Sequence, residues 1–114
     1  MAILRNATTG RVIASNVQRA DGWWTRLRGF LSKAHVGPDD GLWFDNCDAV
    51  HTVGMRAAID IVFLDGDSRV VKVSPCVPSM RLAVVCAGAK AVVELGEGSL
   101  AGRDVLVGDR LLLE

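Results

Sequence analysis

The chain has 114 residues, half of them hydrophobic, with thirteen basic and thirteen acidic side chains. This length and composition predict one domain, residues 1–114, with a buried core, and they exclude a disordered chain. Because the charges cancel and the basic residues are scattered, we expect no positive surface that gathers nucleic acid or an anionic membrane.

The opening runs of the chain predict a hairpin followed by the one helix. Ala2–Asn6 and Arg11–Ser15 are rich in β-forming residues and flank a turn that ends at Gly10. After Asp21 the apolar residues recur with helical spacing, which predicts one short helix over about residues 22–33.

The rest of the chain alternates short apolar runs with turn residues. Further strands are expected at residues 42–45, 59–65, 69–74, 81–86, 90–95, 105–107 and 110–113. Pro75 and Pro78 are expected to end the strand before them, since proline cannot donate to a ladder. Gly108 and Asp109 predict a final hairpin. Many short strands in hairpin order predict a mainly β fold, a small antiparallel β-barrel or sandwich with one short helix.

The cysteines bear on the cellular compartment. Cys47, Cys76 and Cys86 are odd in number and lack CxxC spacing, which argues against a disulfide framework and for a reducing compartment. The first fifteen residues lack the apolar stretch of a signal peptide, and no apolar run reaches the ~18 residues of a membrane span. We therefore expect a cytoplasmic protein with three reduced thiols and no membrane partner.

Two acidic residues fall inside the most apolar strands. In the run from Ile59 to Asp65, Asp60 shares a strand face with Val62 and Leu64, while Ile59, Ile61 and Phe63 occupy the other face. Both faces are therefore expected to be buried, so the carboxylate needs donors, from the backbone or from an arginine such as Arg81. Glu94 repeats this pattern in its own strand, where the alternative is an exposed residue at the edge or end of the strand. We expect the two acids to be partly buried and to share donors, with His51 or an arginine among them.

His51 and Thr52 precede a bend at Gly54, where a histidine can donate, accept or carry a proton. Cys47 lies four residues earlier, but no oxyanion site or helix N-terminus marks a cysteine nucleophile. A zinc site from His51 and the cysteines would have suitable ligand types without the close spacing of zinc motifs. We therefore predict no metal and assign no catalytic residue.

A set of motifs in this order resembles the DUF192 family of small, uncharacterised bacterial and archaeal domains. The motifs are Gly41-Leu42-Trp43-Phe44, Val50-His51-Thr52 with Met55, the strand Ile59–Asp65, Val92-Val93-Glu94-Leu95, and Gly108-Asp109. The resemblance covers the chain from about Arg26 to the end. It implies a compact, mostly antiparallel β fold with little helix, no cofactor and no particular activity.

Three functions are compatible with these residues. The first is a small binding or accessory domain with a pocket for a small polar ligand or a peptide, and the absence of a nucleophile or phosphate motif favours it. The candidate pocket residues are His51, Thr52, Asp60, Arg81 and Glu94. The second is a small hydrolase that uses His51 with Asp60 or Glu94, and the third is a structural partner in a larger assembly. The oligomeric state cannot be inferred from the sequence.

Overall fold

The fold was analysed in a computed structural model, which describes residues 2–19, 37, 39–50, 58–78, 84–101 and 105–114. These residues form nine strands: β1 (Ala2–Asn6), β2 (Val12–Arg19), β3 (Asp40–Asp45), β4 (Ala49–Val50), β5 (Ile59–Leu64), β6 (Val70–Val77), β7 (Val84–Val85), β8 (Ala91–Gly96) and β9 (Leu111–Leu113). The described part contains no helix, and the predicted helix over residues 22–33 lies outside it. The mainly β prediction is confirmed.

Seven of the strands form one mixed sheet in the order β6-β5-β8-β3-β2-β1-β9, and β4 pairs with β7 in a second, two-stranded sheet. The pairing of β2 with β3 is parallel, whereas the other pairings in the large sheet are antiparallel. The predicted antiparallel barrel or sandwich is therefore wrong in detail. The reason is the long connection over residues 20–39, which leaves room for the crossover that a parallel pair requires.

The large sheet is open, with β6 and β9 as its end strands. These two strands approach each other at one isolated bridge between Arg69 and Arg110, where the Val70 amide donates to the Asp109 carbonyl at 2.7 Å. Because the bridge does not extend into a ladder, the sheet is not a closed barrel. Near residues 68–70, hydrogen bonds nevertheless hold the two end strands close to each other.

One core cluster receives side chains from all seven strands, so the sheet curves around it. This inner cluster contains Leu4, Ile13, Ala14, Val17, Trp43, Val62, Leu64, Val70, Ala91, Val93, Leu95, Val105 and Leu111. A second, outer cluster lies on the opposite face of β3, β5 and β8. It contains Leu42, Phe44, Ile59, Ile61, Phe63, Val77, Ala89 and Val92. Strands β5 and β8 therefore have no exposed face.

The predicted end of β6 at proline is wrong. The strand continues through Pro75 to Val77, and its pairing with β5 shifts register between Ile59 and Ile61. Cys76, at this irregularity, has a positive φ of 52°. Proline is tolerated here because β6 is an end strand, where a missing N–H breaks no ladder on the open side.

The predicted final hairpin is also not formed. Residues Leu106 to Asp109 make a turn, and β9 pairs with β1 rather than with residues 105–107. The Gly108 amide donates to the Val70 carbonyl at 2.8 Å. The turn residues were recognised from the sequence, but the partner of the following strand is distant in the chain. The opening hairpin of β1 and β2 is confirmed.

We predict that Gly41→Ala destabilises the fold by about 1 to 3 kcal/mol, because overpacking a core has this cost. A Cβ atom on Gly41 would lie 2.8 Å from Cδ2 of Leu95 and 3.0 Å from Cγ2 of Val17. The measurement is urea unfolding of both proteins. Gly66→Ala is the control, since the nearest atom to its added Cβ would be Cγ of Lys90 at 3.8 Å. Equal effects of the two substitutions would contradict this packing.

Candidate functional site

Asp60 lies on β5 and faces the inner cluster beside Val62 and Leu64, as its strand position predicted. It is only 1% exposed. Its Oδ1 accepts a hydrogen bond from the Cys76 amide at 2.9 Å, and its Oδ2 accepts one from the Leu100 amide at 3.0 Å. Backbone donors thus satisfy both carboxyl oxygens, which is what a buried carboxylate requires. Through these two hydrogen bonds, Asp60 holds the irregular part of β6 and the turn after β8 against the central strand β5.

Glu94 lies on β8 directly between Leu42 of β3 and Ile61 of β5, so it faces the outer cluster. It is 5% exposed. Within the described ranges, no residue donates a hydrogen bond to its carboxyl group, and burial alone shifts its pKa. Burial raises the pKa of Glu94 from 4.5 to about 7, because the charged form loses its hydration there.

The two acids lie on opposite faces of the sheet. The register of β5 and β8 places Asp60 opposite Leu95 and places Ile61 opposite Glu94. Since successive residues of a strand face opposite sides, this one-residue offset separates the two carboxyl groups. The prediction that Asp60 and Glu94 share donors is therefore wrong, although both residues are buried. Strand parity was visible in the sequence, but the register between the strands was not.

The other predicted pocket residues, His51, Thr52 and Arg81, lie outside the described residues. His51 and Thr52 follow Val50 of β4 in the chain, and Arg81 comes three residues before Val84 of β7. Their contribution to a pocket stays a prediction.

The cysteines lie at two separate places. Cys47 and Cys86 are half-buried and pack against the outer cluster, whereas Cys76 is exposed on β6. All three are free, and the Cys47 thiol donates to the Ala49 carbonyl at 3.1 Å. In the part of the chain that the structure describes, no three His, Cys, Asp or Glu side chains are grouped so as to hold a metal ion.

One buried polar pair was missed by the sequence reasoning. Asn6 of β1 donates through Nδ2 to Oδ2 of Asp109 at 2.9 Å, and the Leu106 amide donates to the same oxygen at 3.0 Å. The Asn6 Oδ1 accepts the Thr8 amide at 3.0 Å. These bonds fix two turns at one end of the sheet, so the pair is structural. The turn residue Asp109 after Gly108 was the available signal, but its partner lies over a hundred positions earlier.

An open groove of about 530 Å³ lies at the β1, β2 and β9 side of the sheet. Its lining residues are Ala2, Val17, Gln18, Arg19 and Leu113. Of the predicted pocket residues that the structure describes, neither Asp60 nor Glu94 lines it. Arg19, the cation among the described lining residues, is already engaged, because it donates to Asp45 at 3.1 Å and lies over the Trp43 ring.

We predict that Asp60→Asn destabilises the protein by about 1 to 3 kcal/mol, because the amide nitrogen would face a backbone N–H in place of an acceptor oxygen. Urea unfolding measures this difference. Asp67→Asn, at an exposed turn position, is the matched control and should leave stability within about 0.5 kcal/mol. If Asp60→Asn leaves the free energy of unfolding unchanged, the Cys76 and Leu100 amides do not depend on the carboxylate.

We predict that Glu94 makes the stability fall as the pH rises from 4.5 to about 7. In this window the folded state binds more protons than the unfolded state, so each step toward higher pH favours unfolding. The loss should reach roughly 3 kcal/mol. Glu94→Gln removes this loss and should make the protein more stable than the parent above pH 7.

The measurement is urea unfolding across that pH window. Glu97→Gln, at an exposed position three residues later, is the control and should keep the parent profile. Parallel profiles for the parent and Glu94→Gln would mean that Glu94 ionises as readily in the folded as in the unfolded state.

Comparisons with solved structures identify the fold. A protein of unknown function from Novosphingobium aromaticivorans DSM 12444 superposes with a TM-score of 0.83 at 20% identity, over 98% of this chain and 84% of that chain. A putative transcription regulator from Sinorhizobium meliloti 1021 gives 0.80 at 23% identity, over 98% and 91%. A putative exported protein from Burkholderia pseudomallei K96243 gives 0.53 at 17% identity, over 99% of this chain but only 24% of that chain. At these identities the similarity shows the fold alone.

The sequence comparison is more specific. No curated protein matches the chain. The DUF192 family, described as "Uncharacterized ACR", matches residues 4–113, in agreement with the motifs found in the sequence. Because this match spans nearly all of the sequence, the chain belongs to the DUF192 family.

Proposed function

We propose that this DUF192 chain is a small binding or accessory domain that takes a polar ligand, or a peptide, on the outer face of its sheet. The single observation that supports this proposal is Glu94, a buried carboxyl group to which no described residue donates. Buried polar groups are normally paired within the protein, and unpaired ones with displaced pKa values concentrate at functional sites. Asp60, by contrast, is fully occupied by backbone amides.

The chemistry of Glu94 indicates the class of ligand. With a pKa of about 7, the group can donate a proton when neutral and accept strong hydrogen bonds when ionised. Leu42 and Ile61 flank it with apolar surface. A ligand with an ammonium, amide or hydroxyl donor and an apolar body matches these surroundings. His51, Thr52 and Arg81 remain candidates for the other polar contacts.

The enzyme hypothesis has less support. It used His51 with Asp60 or Glu94, and Asp60 is now accounted for as a structural acceptor. The Sinorhizobium protein is named a putative transcription regulator, but that name describes that protein alone. The balanced charge of this chain gives no positive field that would attract nucleic acid. The cytoplasmic location stays a prediction. In the described ranges, no helix has the length and apolarity to cross a bilayer.

A thermal-shift screen of small amines, hydroxy compounds and short peptides tests the proposal. A true ligand at a hundred times its Kd should stabilise the parent by about 2.7 kcal/mol. We expect this gain to be lost in Glu94→Gln and kept in Glu97→Gln, because the replaced carboxylate makes the ion-paired or hydrogen-bonded contact. A compound that stabilises all three proteins equally binds elsewhere, and its binding would contradict the role of Glu94.

For a cationic ligand, we also predict how the affinity depends on pH. It should bind more tightly above than below the Glu94 pKa of about 7, because only the ionised carboxyl attracts an ammonium group. Binding in a weakly buffered solution should release protons below that pH. Calorimetry in two buffers of different ionisation enthalpy measures the release. Tight binding below pH 7 without proton release would mean that the cation binds to a carboxylate other than Glu94.

A further inference from the structure

A lysine side chain is fixed on the outer face of the sheet. Lys72 of β6 lies directly opposite Phe63 of β5, so the two side chains share one face. The Lys72 Nζ lies 5.5 Å from the centre of the Phe63 ring and donates to the Val85 carbonyl at 3.1 Å. Val73, the next residue of β6, packs against the inner cluster, which confirms that Lys72 faces outward. The ammonium group is therefore held above β5 rather than above its own strand.

Glu94 is a diagonal neighbour of the ring below this cation. On β8, Val92 lies opposite Phe63, and Glu94 lies two residues further along, opposite Ile61. The ladders on both sides of β5 are regular from Ile61 to Phe63, so Glu94 and Phe63 face the same side. Diagonal neighbours of this kind have Cα atoms about 7 to 8 Å apart. The acid and the ammonium group therefore lie close together on the outer face.

The two groups do not neutralise each other. In the part of the chain that the structure describes, no carboxylate forms a salt bridge with Lys72, and no residue donates to the Glu94 carboxyl group. A buried carboxyl group normally receives a donor from within the protein, and a lysine this near is an obvious one. The Lys72 ammonium has three donors and gives one of them to Val85. Both groups thus keep the capacity to bind a partner of opposite charge.

We propose that the ligand at Glu94 is a small zwitterion, such as an amino acid, whose ammonium group binds Glu94 and whose carboxylate binds Lys72. This inference rests on the proposed function, to which it adds the class of ligand and a second contact residue. A plain amine would bring its positive charge close to the Lys72 ammonium, and such like-charge contacts disfavour binding. A carboxylate on the same ligand replaces this repulsion with an attraction. Leu42 and Ile61, on either side of Glu94, favour a ligand with an apolar side chain.

Calorimetry with leucine and with 3-methylbutylamine, which is leucine without its carboxylate, tests the proposal. The titrations are made above the Glu94 pKa of about 7, where the carboxyl group is ionised. We expect the parent to bind leucine about three- to tenfold more tightly than the amine. Lys72→Met keeps an unbranched side chain over Phe63 and loses the charge, so it should bind the two compounds equally.

Two further variants separate the charge of Lys72 from its packing. Lys72 also holds β7 against the large sheet, so Lys72→Arg, which keeps a cation at this position, should keep the preference for leucine. Lys90→Met is the matched control, because Lys90 is exposed and lies four residues before Glu94. This variant should bind both compounds as the parent does. Urea unfolding of each variant shows that the measured protein is folded.

The outcomes distinguish this inference from the proposed function. If the parent binds both compounds equally and Glu94→Gln binds neither, Glu94 is a ligand contact but the assignment of Lys72 is wrong. A preference for leucine that survives in Lys72→Met also overturns the inference, because the carboxylate then binds elsewhere. If neither compound binds the parent, both the proposed function and the zwitterion assignment are wrong.

Discussion

Burial of β5 and β8 on both faces is the constraint on which the rest of the structure depends. All six residues of each strand are buried, with one apolar cluster on either side. A polar side chain in these strands is almost entirely removed from water, and its position in the strand decides which apolar layer it enters. Asp60 and Glu94 enter different layers, and the protein accommodates them in different ways.

Asp60 accepts hydrogen bonds from two backbone amides, those of Cys76 and Leu100. Where β6 shifts register against β5, the extra residue Cys76 has no partner on β5 for its amide, and Asp60 accepts it. The same carboxylate accepts the Leu100 amide from the turn after β8. One charged group thus permits an irregular strand and a tight turn to meet in the core. Glu94 has no comparable task among the described residues, and burial favours its neutral form.

Local patterns in the sequence were sufficient for most strand positions and for the face that Asp60 occupies, because side-chain alternation is a property of neighbouring residues. They were not sufficient for the separation of Asp60 from Glu94, which depends on the register between β5 and β8. Nor could they reveal that β2 pairs in parallel with β3. These relations join residues far apart in the chain, where no periodicity connects them.

The strand order has a consequence for how the protein is made. Strand β8 lies between β3 and β5, and β9 pairs with β1, so the neighbours of the early strands are synthesised late. While the chain emerges from the ribosome, β2 covers one edge of β3, but the other edge of β3 and both edges of β5 wait for strands that are synthesised later. Folding dominated by such distant pairings is slow, and exposed edges invite association with other chains. Until β8 is synthesised, association with other chains at these open edges therefore competes with folding.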